Sequence, residues 1–293
     1  MNLLQKYGYK ISRDEIDKAL EQIAEGAKEA KNEKMLCECL GLLDLTSLKP
    51  DDTPASIKAF VDKINAFGTL YPQYPLPASL CVYPNFAGVV SSNMKCPVHT
   101  TVVAACFPSS QSFLEVKELE VKLAVEAGAD EVDIVLPHNM FKAGDYELCR
   151  AEIEALRAAA DEAGAGRKII LKVILETGLM ETPEQIAVAS FLAMEAGADF
   201  VKTSTGKIAV NATPLAAYVI CNCIKLYFDV TGRKVGFKPA GGMTTPEDAA
   251  IYYHTVKTVL GPEWLCPQLM RFGVSRMANN LLSALQGQTV KYY

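Results

Sequence analysis

Short apolar runs alternate with helix-like stretches eight times along this chain. The spacing is about 30 residues, the length of one βα unit. The strand-like runs are Leu40–Thr46, Ser79–Tyr83, Val98–Phe107, Glu131–Leu136, Lys168–Glu176, a run ending at Lys202, another ending at Lys238, and Leu269–Gly273. Between them fall helical patterns over 53–67, after Pro84-Asn85-Phe86, and over 110–127, 144–163, 182–196, 213–230 and 245–260, with a last one closing near 286. Runs this apolar and this short, bounded by turn residues, suit strands buried on both faces of a parallel sheet. Eight such units predict an α/β fold, a (β/α)8 TIM barrel. An open dinucleotide-binding sheet would want a GxGxxG after the first strand, and none is present.

The rest of the chain is small by comparison. Residues 1–39 form an N-terminal helical extension. Within it, 11–30 reads as an amphipathic helix capped near Ser12, expected as a lid or an interface element. The barrel takes 40–287, and the tail 288–293 has no periodicity and ends in Tyr292 and Tyr293. It is expected as a loose end. A net charge of -5 without a basic stripe gives no support to a nucleic-acid or membrane-surface partner. No apolar run approaches a membrane span, no signal peptide is visible, and the nine cysteines suit free thiols in a reducing compartment, so a cytoplasmic location is expected. Cys37/Cys39 and Cys221/Cys223 sit in helix-like stretches, where two steps turn side chains about 200° apart, too far to share a metal or a disulfide.

Two consecutive units share one design. Phe200-Val201-Lys202 leads into Thr203-Ser204-Thr205-Gly206-Lys207, and Val235-Gly236-Phe237-Lys238 leads into Pro239-Ala240-Gly241-Gly242. A lysine at the end of a buried strand loses solvation and is seldom kept without a role. Among the ionisable residues on the strands, Asp44, Asp133, Lys172, Lys202 and Lys238 are the candidates for the barrel mouth. Strands four to seven are neighbours, so Asp133 and the three lysines meet on one side of the mouth, with Asp44 on the far side. A bracing ion pair is the structural alternative. Three cations against few anions fit it poorly and fit a nucleophilic amine well, because neighbouring cations and desolvation both lower a lysine pKa. Lys202, on the middle strand, is the predicted nucleophile, forming a Schiff base with a carbonyl substrate, and Asp133 is the predicted proton shuttle. A metal-dependent reaction is disfavoured, since His99, His138 and His254 lack ligand spacing and His254 reads as a surface residue of a helix. Cys81 is either a core thiol or a reactive one. The Gly-rich loops after strands six, seven and eight, with Lys207, predict an anion site for a phosphorylated substrate.

The segments DLTSLKPDDT, CVYPNF, EVDIVLP, LKVILETG, DFVKTSTGK, VNATP, VGFKPAGG and RFGVS together resemble the deoxyribose-phosphate aldolases, from about Leu40 to Leu285. The resemblance implies a cofactor-free class I aldolase that cleaves 2-deoxy-D-ribose 5-phosphate to D-glyceraldehyde 3-phosphate and acetaldehyde in deoxyribonucleotide catabolism. It makes Lys202 the Schiff-base former, Lys238 the residue that tunes its pKa and joins in proton transfer, and Asp133 the general acid/base. The expected substrate contacts are Asp44, Thr46, Cys81, Lys172, Thr177, Thr205, Gly206, Lys207, Gly241, Gly242, Gly273 and Ser275. Arg276 departs from the family pattern, which often has a second serine there, and Cys106-Phe107-Pro108-Ser109-Ser110 stands where many members carry a glycine. The partner is then a small phosphorylated sugar, and a homodimer is compatible with this reading. The resemblance also implies a tail whose tyrosines fold over the mouth when substrate binds. The competing readings are a Schiff-base lyase for another phosphorylated sugar, a pyridoxal-phosphate enzyme, or a non-catalytic sugar-phosphate sensor.

Overall fold

The computed structural model describes residues 2–293. Eight parallel strands follow in sheet order β7-β6-β5-β4-β3-β2-β1-β8. They are β1 (Leu43–Thr46), β2 (Ser79–Val82), β3 (His99–Val103), β4 (Glu131–Val135), β5 (Ile170–Ile174), β6 (Phe200–Lys202), β7 (Gly236–Lys238) and β8 (Phe272–Val274). Bridges between Phe237 and Met270 and between Ala240 and Gly273 bring β7 against β8 and close the cylinder. The fold is the expected (β/α)8 barrel. Gly273 permits the closure, because a Cβ there would stand 2.8 Å from Ala240 Cβ and 3.1 Å from Lys238 Cε.

The helices of the barrel wall start from a recurring Thr-Pro pair. It opens α4 (Pro54–Leu70), α9 (Pro183–Glu195), α10 (Pro214–Thr231) and α11 (Pro246–Val259). The threonine hydroxyls of Thr53, Thr182, Thr213 and Thr245 accept from the backbone N–H of Ser56, Gln185, Ala216 and Asp248. Proline at the first helical position gives up an N–H that had no partner anyway. Each start is therefore sharp, which fixes the length of the loop joining strand end to helix, where the site lies. The remaining wall helices are α5 (Ala87–Asn93), α6 (Leu114–Glu126), α7 (His138–Ala143), α8 (Tyr146–Gly164) and α12 (Met277–Gln286).

Before the barrel come α1 (Leu3–Lys6), α2 (Arg13–Ala30) and α3 (Glu33–Gly41). Ser12 and Glu15 form a capping box at the start of α2, as its sequence anticipates. The helix buries Ile16, Ile23 and Ala27 and packs against α10 and α11, on the outside of the wall. Its residues do not line the mouth, so the expected lid is instead a buttress. His254 of α11 belongs to this contact: a Cβ on Gly26 would come within 2.4 Å of its Nε2, so the histidine is half-buried between the helices and not free on the surface. The extension is pinned further by Tyr7, which stacks on Phe191 at 4.5 Å and donates to Glu195 at 2.8 Å.

The tail is ordered and does not reach the mouth. It doubles back along α12, where the backbone N–H groups of Tyr292 and Tyr293 both donate to Asn279 Oδ1 at 2.9 Å. Both rings pack on Phe67 of α4, at 5.6 and 5.5 Å between centroids. All nine cysteines are free thiols. Among the described residues no helix is long and apolar enough to cross a membrane.

Candidate active site

The mouth of the barrel holds a cavity of about 360 Å³. Thr46, Lys202, Thr205, Gly206, Lys207, Gly241, Gly242, Gly273 and Ser275 line it, and so does Arg276 at the N-cap of α12. The polar rim thus comes from the loops after β1, β6, β7 and β8. Gly241 lies at φ +77, and a Cβ there would meet Asn211 Oδ1 at 2.7 Å, so this turn excludes a side chain twice over. Lys207 Nζ donates to the Leu48 carbonyl at 2.7 Å, linking the β6 and β1 loops across the cavity.

Lys202 is only 4% exposed, at the cavity floor. Beneath it Asp44, Asp133, Lys172 and Lys238 are fully buried. Asp133 Oδ2 accepts from Lys202 at 2.7 Å and from Lys238 at 2.8 Å, while Asp133 Oδ1 is 2.9 Å from Lys172. Asp44 is not on the far side, as the strand order suggested. Its carboxylate is 2.6 Å from Lys238, 2.6 Å from Arg271 and 3.5 Å from Lys172. The interior is narrow enough for these long side chains to span it.

Two members of this cluster escaped the sequence reading. Glu131 is 2.5 Å from Lys172 and 2.8 Å from Arg271, and all three are buried. Glu131 lies two residues before Asp133 and Arg271 two before Gly273, so strand alternation would have placed both facing inward. The cluster therefore sets four cations, Lys172, Lys202, Lys238 and Arg271, against three carboxylates, Asp44, Glu131 and Asp133. The idea of many cations facing few anions is corrected to a surplus of one.

Which cation is surplus follows from its neighbours. Burial opposes charge on all three lysines. For Lys238 it is outweighed by Asp133 and Asp44, so its pKa is held above the ordinary lysine value. Lys172 is likewise raised, by Asp133 and Glu131 against burial. Lys202 has Asp133 alone among the described residues, and shares that oxygen with Lys238. Burial prevails there, with Lys238 adding repulsion, and its pKa is lowered. Asp133 is buried too, yet Lys172, Lys202 and Lys238 hold its carboxyl well below the usual range, so it remains a carboxylate.

The other expected contacts are less direct. Cys81 lies fully buried below the mouth, its thiol pushed up by desolvation, and so fits a core thiol. Thr177 is buried in the turn after β5, where its N–H donates to the Thr203 carbonyl at 2.9 Å, and it does not line the cavity. Glu176 beside it was not anticipated. Its carboxylate takes both the backbone N–H and the hydroxyl of Thr205, fastening the β6 loop that carries Lys207.

A parallel barrel with one desolvated lysine under a polar mouth suits a lyase that breaks carbon–carbon bonds beside a carbonyl. The family model described as DeoC/LacD family aldolase matches residues 43–258, and the chain belongs to that family. It is an aldolase. A deoxyribose-phosphate aldolase of Agrobacterium fabrum is 37% identical over 250 residues, covering 85% of this chain and 90% of that one. The deoxyribose-phosphate aldolase of Homo sapiens is 37% identical over 258 residues, 84% of this chain and 79% of that one. The tetrameric deoxyribose phosphate aldolase of Aeropyrum pernix superposes with TM-score 0.66 at 23% identity, covering 94% of this chain and 98% of the other, a likeness of fold. The aldolase QR15 superposes at 0.67 with 26% identity over 85% of this chain and 96% of its own.

Proposed function

We propose that this aldolase cleaves 2-deoxy-D-ribose 5-phosphate to D-glyceraldehyde 3-phosphate and acetaldehyde through a Schiff base on Lys202. The observation that carries the reading is the unequal sharing of Asp133 Oδ2. It leaves Lys202, at the cavity floor, as the lysine with the lowered pKa among three. The names of the relatives supply the substrate.

In this reading the neutral Lys202 amine attacks C1 of the open-chain sugar, and loss of water leaves an iminium. The iminium draws the electron pair of the C2–C3 bond as that bond breaks. The C3 hydroxyl gives up its proton to Asp133, and C3 becomes the aldehyde of the departing triose phosphate. The enamine left on Lys202 is protonated at C2, and water releases acetaldehyde and the free amine. Lys238, kept charged by Asp44 and Asp133, is the proton reserve, 2.8 Å from the oxygen that serves Lys202. The phosphate sits among the backbone N–H groups near Gly206, Gly241, Gly242 and Gly273, with Ser275, Arg276 and Lys207 around it.

Borohydride reduction in the presence of acetaldehyde, followed by peptide mapping, tests this directly. The label belongs on Lys202, and Lys202→Leu lowers turnover by about 10⁴-fold or more. A label on Lys172 or Lys238 refutes the assignment. A substrate panel of phosphorylated sugars tests the choice of substrate separately.

A further inference from the structure

The opposite, N-terminal end of the barrel carries a second hollow, of about 520 Å³. His99 opens onto it with half of its side chain exposed, and its Nδ1 lies 2.7 Å from Glu131 Oε1. Glu131 is wholly buried. Its carboxylate also meets Lys172 at 2.5 Å and accepts from Thr101 at 2.8 Å. Lys172 is in turn 2.9 Å from Asp133, whose other oxygen holds Lys202. From the floor to the mouth the line runs His99, Glu131, Lys172, Asp133, Lys202, alternating in sign at hydrogen-bond distance.

The chemistry set out above leaves Glu131 and His99 unused. A buried carboxylate is costly to desolvate, and apolar packing would brace a barrel as well. Glu131 balances Lys172 and Arg271 in the interior, and its further contact, to His99, ties that pair to a group that titrates at the opposite end of the barrel. We propose that His99 and Glu131 are positioning residues for the reaction at Lys202, acting from the opposite end of the barrel through Lys172 and Asp133. The proposal rests on the Schiff-base reading.

The direction of the effect follows from the charges. Protonated His99 takes up part of the Glu131 charge. Lys172 then leans on Asp133 more strongly, and Asp133 holds the Lys202 proton less. The groups facing His99 are Glu131 on β4, Asp130 before it, and Arg271 before β8, while Lys168, Asp199 and Lys234 line the same hollow. The hydrogen bond to Glu131 outweighs burial and Arg271, so His99 is held above its ordinary pKa. As pH falls through that value, His99 gains charge and keeps more of Lys202 free as amine than a lone lysine titration would.

The test uses 2,4-pentanedione, which forms an absorbing enaminone with a neutral lysine amine, with the label mapped to Lys202. At about pH 6 the intact protein should label about threefold faster than H99Q, the change in amine fraction that half a pKa unit produces. At a pH alkaline enough to deprotonate His99, the two rates should coincide. E131Q should label faster than the intact protein yet turn over more slowly at unchanged KM, since Lys172 is then free to pull Asp133 away from Lys202. Opposite movements of labelling and turnover are not what simple loss of packing gives. His99 is half exposed, so H99Q keeps the test alive if E131Q fails to fold. Superimposable curves for H99Q and the intact protein overturn this inference alone. A Lys202 that resists the reagent overturns it together with the Schiff-base reading.

Discussion

Lys202 Nζ stands 2.7 Å from Asp133 Oδ2, an oxygen that Lys238 also reaches at 2.8 Å. Lys238 has a second carboxylate, Asp44, at 2.6 Å, whereas Lys202 has no other among the described residues. Competition for one oxygen is therefore unequal, and Lys202 is the first of the two to lose its proton as pH rises. With Lys202 neutral, the remaining three buried cations and three carboxylates balance.

Removing the competitor should reverse this. In Lys238→Leu, Asp133 turns wholly to Lys202 and a repelling charge is gone. Both changes raise the Lys202 pKa, so activity requiring the free amine shifts to higher pH, by about one unit or more. The rate at neutral pH falls accordingly, and a pH-rate profile measures both. An unmoved profile would assign the tuning to desolvation alone.

Asp133→Asn keeps the shape of the site and removes its base. Imine formation with acetaldehyde should persist at a low level. Exchange of the acetaldehyde methyl protons in deuterated water, followed by NMR, should fall by about 10²–10⁴-fold. Exchange at the wild-type rate would take Asp133 out of the mechanism.

The tail leads to a different expectation than its sequence does. Tyr292 and Tyr293 cover Phe67 and are tied to Asn279, away from the mouth. Deleting both should cost about 2–4 kcal/mol of buried apolar surface, read as a drop of about 5–10 °C in Tm. Proton exchange at the active site should not change. An unaltered Tm with slowed exchange would restore the mouth-closing role.

The barrel itself was legible because every βα unit carries an apolar run, several carry a lysine or aspartate on the strand, and four open their helix with Thr-Pro. Lys202, Asp133 and Lys238 stood out for the same reason. Relations across the barrel were not legible. Asp44 was assigned away from the lysines because strand order describes the rim, while Lys238 and Arg271 reach through the interior to meet it. Strand boundaries were read too generously where loop residues are apolar. The third strand stops at Val103 because Ala105 and Cys106 take left-handed backbone angles, and Arg271 lies outside β8 by one residue. The tail had no periodicity to read, since its anchors lie on α4 and α12 and its docking uses no repeat.

Arg276, the departure from the serine that the family resemblance leads one to expect, lines the cavity beside Gly242 and Ser275. It is the N-cap of α12, so its side chain emerges where unpaired backbone N–H groups already favour an anion. A guanidinium there adds full charge and a planar fork that matches phosphate oxygens, where serine would offer a single hydroxyl. The residue is exposed, so its charge is partly screened and the hydrogen bond itself should dominate the gain. A charge-assisted hydrogen bond of about 1.5–3 kcal/mol corresponds to about tenfold or more in KM for the phosphorylated sugar in Arg276→Ser. Cleavage of unphosphorylated 2-deoxyribose should be nearly unchanged, because Lys202 and Asp133 are untouched. The decisive quantity is the ratio of kcat/KM for the two sugars in each protein, which cancels any general effect on folding or on the amine. If that ratio is the same with arginine and with serine, Arg276 makes no phosphate contact, and the glycine loops with Ser275 and Lys207 carry the binding.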